Sequence, residues 1–303
     1  MAMLGYHHPD YKRNTRGCNV HFPYYHSLKD VAKFEARPDD VAICGFPKSG
    51  TVWVCSVVGL ILHDADPSFL LDGPPLERKV PFLEYCTPLL QKGYRGVDTL
   101  EQTTGRRLFF SHLNCDLLPP SLLTSGAKII YKTRNPKDSL ISLHYHHMAR
   151  PASDYHWVLG QMVDDYSEDT VPFGPYFDHV ASFWKHRENP NIFFTSYEAL
   201  HKNHKKTVQD FAKFLNQPLS DEQIDTIVRL TTFAAMKENP VVNRIDKVAA
   251  GIFNFNVAPF MRKGIPGGYA DDLTQPQIQK LDNWIALNKK REDLRGMTSL
   301  QDY

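Results

Sequence analysis

The chain is 303 residues long, enough for a large core in one α/β domain or two smaller ones, and its 42% hydrophobic and 23% charged residues are ordinary for a globular protein. Thirty-five Lys and Arg oppose 34 Asp and Glu, so no global field draws nucleic acid or an acidic membrane surface, and any anion site must be local. Five widely spaced cysteines, Cys18, Cys44, Cys55, Cys86 and Cys115, form no C-x-x-C pair and read as reduced, packed thiols. The polar residues 1–15 lack the apolar core of a secretory signal. The longest apolar run, 52–62, is about half a bilayer span, so a cytoplasmic address without a membrane segment is the expectation.

In chain order, residues 1–20 read as a mobile N-terminal extension. A short apolar run at 41–46 is closed by a Pro, Ser and Gly turn, and a second apolar stretch of helical length follows. That is strand, loop, helix. Compact strand candidates recur at 107–111, 128–133 and 191–196, the one at 128–133 followed after 138 by a helical segment at 139–147. Val208, Phe211, Ala212 and Leu215 fall at i, i+3, i+4 and i+7, marking one buried helical face. Ser220 with Gln223, and Thr274 with Gln277, fit capping boxes that open two further helices. Between them residues 239–272 carry three prolines and four glycines without periodicity, a long loop of the kind that serves a site. Strands alternating with helices, without repeats or linkers, predict one α/β domain over 1–303 with a central, mainly parallel sheet flanked by helices.

Residues 45–51, Gly-Phe-Pro-Lys-Ser-Gly-Thr, lie between a strand and a helix, where backbone N–H groups and the helix dipole converge on a phosphate-sized anion. The order differs from the nucleotide triphosphatase loop, which ends in Gly-Lys-Ser/Thr; here Lys48 precedes Gly50 by two residues. Alone, such a string is also read as a Gly turn with a solvated lysine. Arg134 ends a strand and is followed by the hydroxyl of Ser142, a fork and a donor suited to a dianionic phosphate.

Lys48-Ser49-Gly50-Thr51-Val52-Trp53, preceded by Pro47, resembles the 5′-phosphosulfate loop of the cytosolic sulfotransferases, with Val52 where Thr is usual. In that family the loop holds the 5′ side of 3′-phosphoadenosine 5′-phosphosulfate (PAPS), and the lysine lies against the bridging oxygen. Arg134 and Ser142 are similar to the family's pair for the 3′-phosphate. Phe260-Met261-Arg262-Lys263-Gly264 resembles its segment that closes over that phosphate. Tyr197, Thr231, Thr232, Phe233 and Met236 match the adenine pocket. Phe109-Phe110-Ser111-His112-Leu113 is similar to the catalytic segment, which makes His112 the general base. The resemblance runs over about residues 22–264 and implies PAPS as co-substrate, 3′-phosphoadenosine 5′-phosphate (PAP) as product, a small hydroxyl acceptor such as a phenol, a catecholamine-like phenol or a steroid-like alcohol, in-line transfer and no metal. His112, Lys48 and Ser142 inherit the catalytic roles.

Two departures stand out. Phe110 occupies the place where the family commonly has a lysine on the transferring sulfuryl group, and Arg106 or Arg107 is the nearest substitute. After Gly264 the usual dimer motif is absent, which leaves a monomer or an atypical dimer. Phe22, Phe82, Tyr85, His144, His147 and Met148 fall in segments that border acceptors in the family. The rivals are a metal-dependent phosphotransferase, for which no Lys-Ser/Thr pair or metal-holding carboxylate is visible, and a silent PAPS binder, for which Phe110 is the support.

Overall fold

The computed structural model describes residues 12–15, 17–21, 24, 27–86, 95–150 and 158–298. At the amino end, β1 (Lys12–Thr15) and β2 (Cys18–His21) pair antiparallel. The backbone of Asn19 bonds to Phe173 and Gly174 at 2.7 and 2.8 Å. Over these residues the expected mobile extension is therefore a docked hairpin. Its partner segment lies far along the chain and gives no local sequence signal.

The central sheet holds β3 (Val41–Cys44), β4 (Leu108–Ser111), β5 (Lys128–Thr133) and β6 (Ile192–Ser196) in the order β4-β3-β5-β6, every neighbour parallel. Both faces are covered, which is why β3 and β4 are apolar and buried along their whole length. The principal helices are α1 (Thr51–Leu62), α2 (Pro136–Met148), α3 (Leu159–Ser167), α4 (Tyr176–Trp184), α5 (His204–Phe214), α6 (Asp221–Leu230), α7 (Phe233–Glu238) and α8 (Gln275–Asn288). Alternation along the strands sends Ala42, Phe109, Ile129 and Tyr131 into a core with α2, α3, α4 and α8. It sends Ile43, Phe110 and Ile130 to the other face, against α1, α5 and α6.

Both predicted capping boxes are present, at Ser220 with Gln223 and at Thr274 with Gln277. The long 239–272 loop contains a short helix, Ile245–Ala249, and a 3₁₀ turn, Gly268–Asp271. It is tied down at several points. The Asp138 carboxylate at the start of α2 accepts the backbone N–H groups of Gly267 and Tyr269 at 2.7 and 3.0 Å, and Asn254 N–H donates to Ala149 at 2.6 Å. No helix among the described residues is long and apolar enough to cross a membrane.

Below the sheet, Arg107 donates from Nε to Asp40 Oδ1 at 2.7 Å and from a terminal nitrogen to the carbonyl of Glu35 at 2.8 Å. Both charged side chains are almost fully buried. This pair fastens the start of β4 to the start of β3, so Arg107 is occupied at the end of the sheet remote from the loop after β3. Removing one partner strands a buried charge, and Asp40→Ala is expected to lower unfolding free energy by about 3–5 kcal/mol, read as a shifted urea midpoint at unchanged slope.

Candidate active site

The segment 45–50 leaves the carboxyl end of β3, where parallel α/β sheets place their ligands. Lys48 and Gly50 have left-handed φ values of 66° and 91°, which fold the segment tightly around the start of α1. Its carbonyls are tied from behind. Gly45 O accepts from His112 Nδ1 at 2.7 Å, Phe46 O from Ser49 Oγ at 2.5 Å, and Lys48 O from the Arg134 guanidinium at 3.1 Å. No side chain caps α1 at Gly50, so its first-turn amides keep their capacity to bind an anion.

Around this loop lies one cleft of about 740 Å³, lined by Lys48, Gly50, Thr51, Val52, Trp53, Arg134, Ser142, Tyr197, Thr231, Thr232, Phe233, Met236, Phe260, Met261, Arg262, Lys263 and Gly264. Those residues are scattered over more than two hundred positions of sequence, and the fold brings them together. Ser49 is the exception: its side chain is buried and its hydroxyl is spent inside the loop. Three polar atoms beside the loop, Thr51 Oγ1, Trp53 Nε1 and Arg134 Nε, are buried without a hydrogen-bond partner. Such atoms are costly unless something binds them, and a donor set of this kind fits a phosphorylated nucleotide.

One wall of the cleft suits adenine. Trp53 packs edge-on against Tyr197 and His204, with ring centres 5.3 and 5.2 Å apart. Arg134 lies over the Tyr197 ring at 4.2 Å. Gly264, at φ 71°, is pressed so closely on Phe233 that a Cβ there would fall 2.1 Å from the ring. Arg262 and Lys263 both pair with Asp272, at 3.1 and 3.2 Å, and Tyr145 donates to the same carboxylate at 2.7 Å. The two cations of the closing segment are thus anchored while lining the cleft.

The other wall surrounds His112. Because Gly45 O can only accept, Nδ1 carries the proton and Nε2 carries the lone pair. The His112 backbone N–H donates to Glu84 Oε1 at 2.6 Å, and His179 Nε2 donates to the His112 carbonyl at 3.1 Å. Burial pushes the His112 pKa well below the ordinary imidazole value, and nearby Lys132, His179 and Lys48 push the same way, against the bond to Gly45. The ring is a neutral base at physiological pH. Phe82 is stacked on Phe110 at 4.6 Å with the planes 8° apart, and Phe82, Phe110 and Phe173 stand 5.2 to 5.9 Å from His112.

Phe82, Tyr85 and His147 line the cleft as expected, but His144 and Met148 do not. The helical turn places His144 in the protein interior and leaves Met148 47% exposed. Phe22 lies outside the described residues. Neither Arg106 nor Arg107 reaches the cleft: Arg107 is held by Asp40 and Arg106 is exposed.

Several lining residues have no mark in the sequence. Arg244, in a left-handed turn at φ 63°, lies 4.7 Å from the Phe260 ring, whose centre is 4.6 Å from Lys48 Nζ. Burial, together with Arg244 and Arg134, lowers the Lys48 pKa to about 7. His146, flanked by Phe253 and Phe260, is held neutral by burial and by Lys48. Tyr24, Phe173 and His204 also line the cleft. Among the described residues no cluster of three His, Cys, Asp or Glu is arranged to hold a metal ion.

The profile of the sulfotransferase domain family matches residues 38–298. The chain is a sulfotransferase. It is 33% identical to dog sulfotransferase 1B1 over 266 residues, 88% of each chain, and 32% identical to bovine sulfotransferase 1E1 over 291 residues, 96% of this chain and 97% of that one. Its structure is similar to that of retinol dehydratase in complex with androsterone and the inactive cofactor PAP, with a TM-score of 0.85 and 25% identity, covering 94% of this chain and 91% of that one. As a member of this family the chain is a PAPS-dependent enzyme, and the phosphotransferase alternative falls away.

In this sulfotransferase Gly264 is required twice, by its left-handed backbone and by the Phe233 ring. Gly264→Ala should cost the closing segment about 1–2 kcal/mol, seen in calorimetry as roughly tenfold weaker binding of PAP with little change in thermal stability.

Proposed function

We propose that the enzyme transfers the sulfuryl group of PAPS to the hydroxyl of a small, largely apolar acceptor, with His112 as general base. The observation that carries this reading is the His112 ring itself: a neutral imidazole with a fixed tautomer, set beside the anion loop and walled by aromatic side chains. Bound PAPS supplies the activated sulfuryl group. His112 Nε2 takes the acceptor proton as the acceptor oxygen bonds to sulfur, while the sulfur–oxygen bond to the phosphate breaks and its electron pair stays on that phosphate. Lys48, in its protonated form, stabilises that leaving oxygen, and the loop amides hold the phosphosulfate in place. Ser142 and Arg134 serve the 3′-phosphate, with Arg262 and Lys263 closing over it.

The acceptor class follows from the wall around His112. Tyr24, Phe82, Tyr85, Phe110 and Phe173 present ring faces and edges, and such walls select flat or elongated apolar molecules. Of the acidic residues on the cleft lining, Glu77 is held by Arg244 and Lys247 and Asp138 by backbone N–H groups, while Asp246 pairs with Lys247 through Oδ2 at 3.6 Å and keeps Oδ1 without a partner. Simple phenols and steroid- or isoprenoid-like alcohols fit such walls. The androsterone seen in retinol dehydratase is an alcohol of this kind.

Two experiments test the reading. Titration with PAP in EDTA should show tight binding, weakened by Arg262→Ala, and no binding by folded protein would remove the assignment of the cleft. His112→Ala should lower kcat by about 10²–10⁴-fold while PAP affinity stays within a few-fold; retained turnover would rule out the base.

A pH profile gives a further check. Because the His112 pKa is lowered, the base is already deprotonated at pH 6, and kcat/KM should not fall until more acid pH. Lys48 titrates near 7 in the free enzyme, so kcat/KM for PAPS should decline above neutrality, and the dianionic nucleotide should carry that limb upward in kcat.

A further inference from the structure

Lys132 is a buried cation near the site that neither the family pattern nor the reading above uses. It lies on β5, directly after Tyr131, which pairs with Cys44. It therefore stands level with Gly45, and with His112, which follows the Ser111 partner of Cys44 on the other side. Strand alternation places it on the face of Ile130 and Phe110, beneath α1. Its side chain is 1% exposed. Its ammonium curls under the start of the anion loop, where a Cβ on Gly45 would fall 2.8 Å from Nζ and 3.0 Å from Cγ. The absent side chain of Gly45 is what makes room for it.

Among the described residues this cation has no counter-ion. Its hydrogen bond is a long one, 3.5 Å to the carbonyl of Cys44. The titratable groups that face it are the thiols of Cys44 on β3 and Cys55 on α1, with His112 at the end of β4 and His179 on α4. Burial pushes the Cys55 thiol up to about 12 and Cys44 well above its ordinary value, so both stay protonated. Burial likewise holds both imidazoles neutral. Burial of Lys132 itself lowers its pKa to about 8. A buried ammonium without a partner is expensive. The anion that can relieve it is one bound on the other side of the loop.

We propose that Lys132 is a positioning residue of the sulfuryl-transfer site, a cation placed behind the anion loop that replaces, from β5 and through the loop, the positive charge missing at Phe110. It contacts the loop and not the donor, since it does not line the cleft. It has two effects, both electrostatic. The field of the ammonium favours the phosphosulfate and the negative charge that grows on the leaving phosphate. The same field discourages protonation of His112, which is also faced by Lys48, His179 and, at its backbone, Glu84.

The inference rests on the PAPS reading, and the test separates the two. Lysine side chains labelled with ¹³C and ¹⁵N are titrated by NMR in the Lys48→Met protein, without and with PAP. A lysine that titrates near 8 in the free protein and moves up by more than about one unit with PAP is the expected result. A folded protein that binds PAP while no such lysine moves overturns the role of Lys132 alone; failure of wild type to bind PAP overturns the reading of the cleft.

Kinetics supply the second arm. Lys132→Met should lower kcat about tenfold or more and shift the acid limb of the pH profile upward, because His112 loses a repelling charge. Adding Phe110→Lys to Lys132→Met should recover most of the loss. A Lys132→Met enzyme with kcat within about twofold of wild type and an unmoved acid limb would overturn the proposal, as would a loss that Phe110→Lys leaves unrepaired. Should Lys132→Met fail to fold, the NMR titration decides by itself.

Discussion

The loop between β3 and α1 has to present its amides to an anion, and this requires its carbonyls to be satisfied from elsewhere. Three side chains do so, two of them from distant parts of the chain, His112 at Gly45 and Arg134 at Lys48, and one from within the loop, Ser49 at Phe46. An unpaired buried carbonyl would compete for the same amides or draw in water. Fixing the carbonyls also fixes the groups that bind them. His112 acquires its tautomer from this contact, and Arg134 acquires its place beside Tyr197. The proposed base and the proposed phosphate-binding fork are thus oriented by the loop beside them.

Charge in the cleft follows from the same geometry. Lys48, Arg134 and Arg244 crowd one side, and burial, reinforced by repulsion from the two arginines, lowers the Lys48 pKa to about 7. The ion pairs that could relieve them lie at the edges, Glu77 with Arg244 and Lys247, and Asp272 with Arg262 and Lys263. The protein invests folding stability in an uncompensated positive region, and the anionic nucleotide is its natural counter-charge. Aromatic rings then exclude water from the opposite wall, where a neutral histidine needs no counter-ion at all.

The replacement of lysine by Phe110 changes the character of the reacting centre. In the stack with Phe82 the ring extends the aromatic wall up to the base, so acceptor packing gains where a direct cationic contact is lost. The positive charge beneath the sheet's loop end is carried instead by β5, behind the backbone, at a position where only a residue without a side chain can stand over it.

Much of this was legible in the sequence. The four strands of the central sheet are short, largely apolar runs, and two helices announce themselves by reciprocal caps, because backbone hydrogen bonding and burial act over a few residues. The anion loop, Arg134 and His112 stand at strand ends and residues 260–264 form a contiguous motif in the long loop, so their resemblance to the family's segments could be read from order along the chain. The acceptor side could not. Whether a residue of α2 faces the cleft depends on the rotation of that helix against its neighbours, which turned His147 inward and left His144 and Met148 elsewhere. Arg107 looked available beside Phe110, yet Asp40 claims it from the far end of the sheet. Lys132 reads as an unremarkable strand lysine until pairing with β3 sets it under Gly45. Local propensity is written in neighbours along the chain; electrostatic partnership and the walls of a pocket are written in neighbours across it, and only the folded sheet decides those.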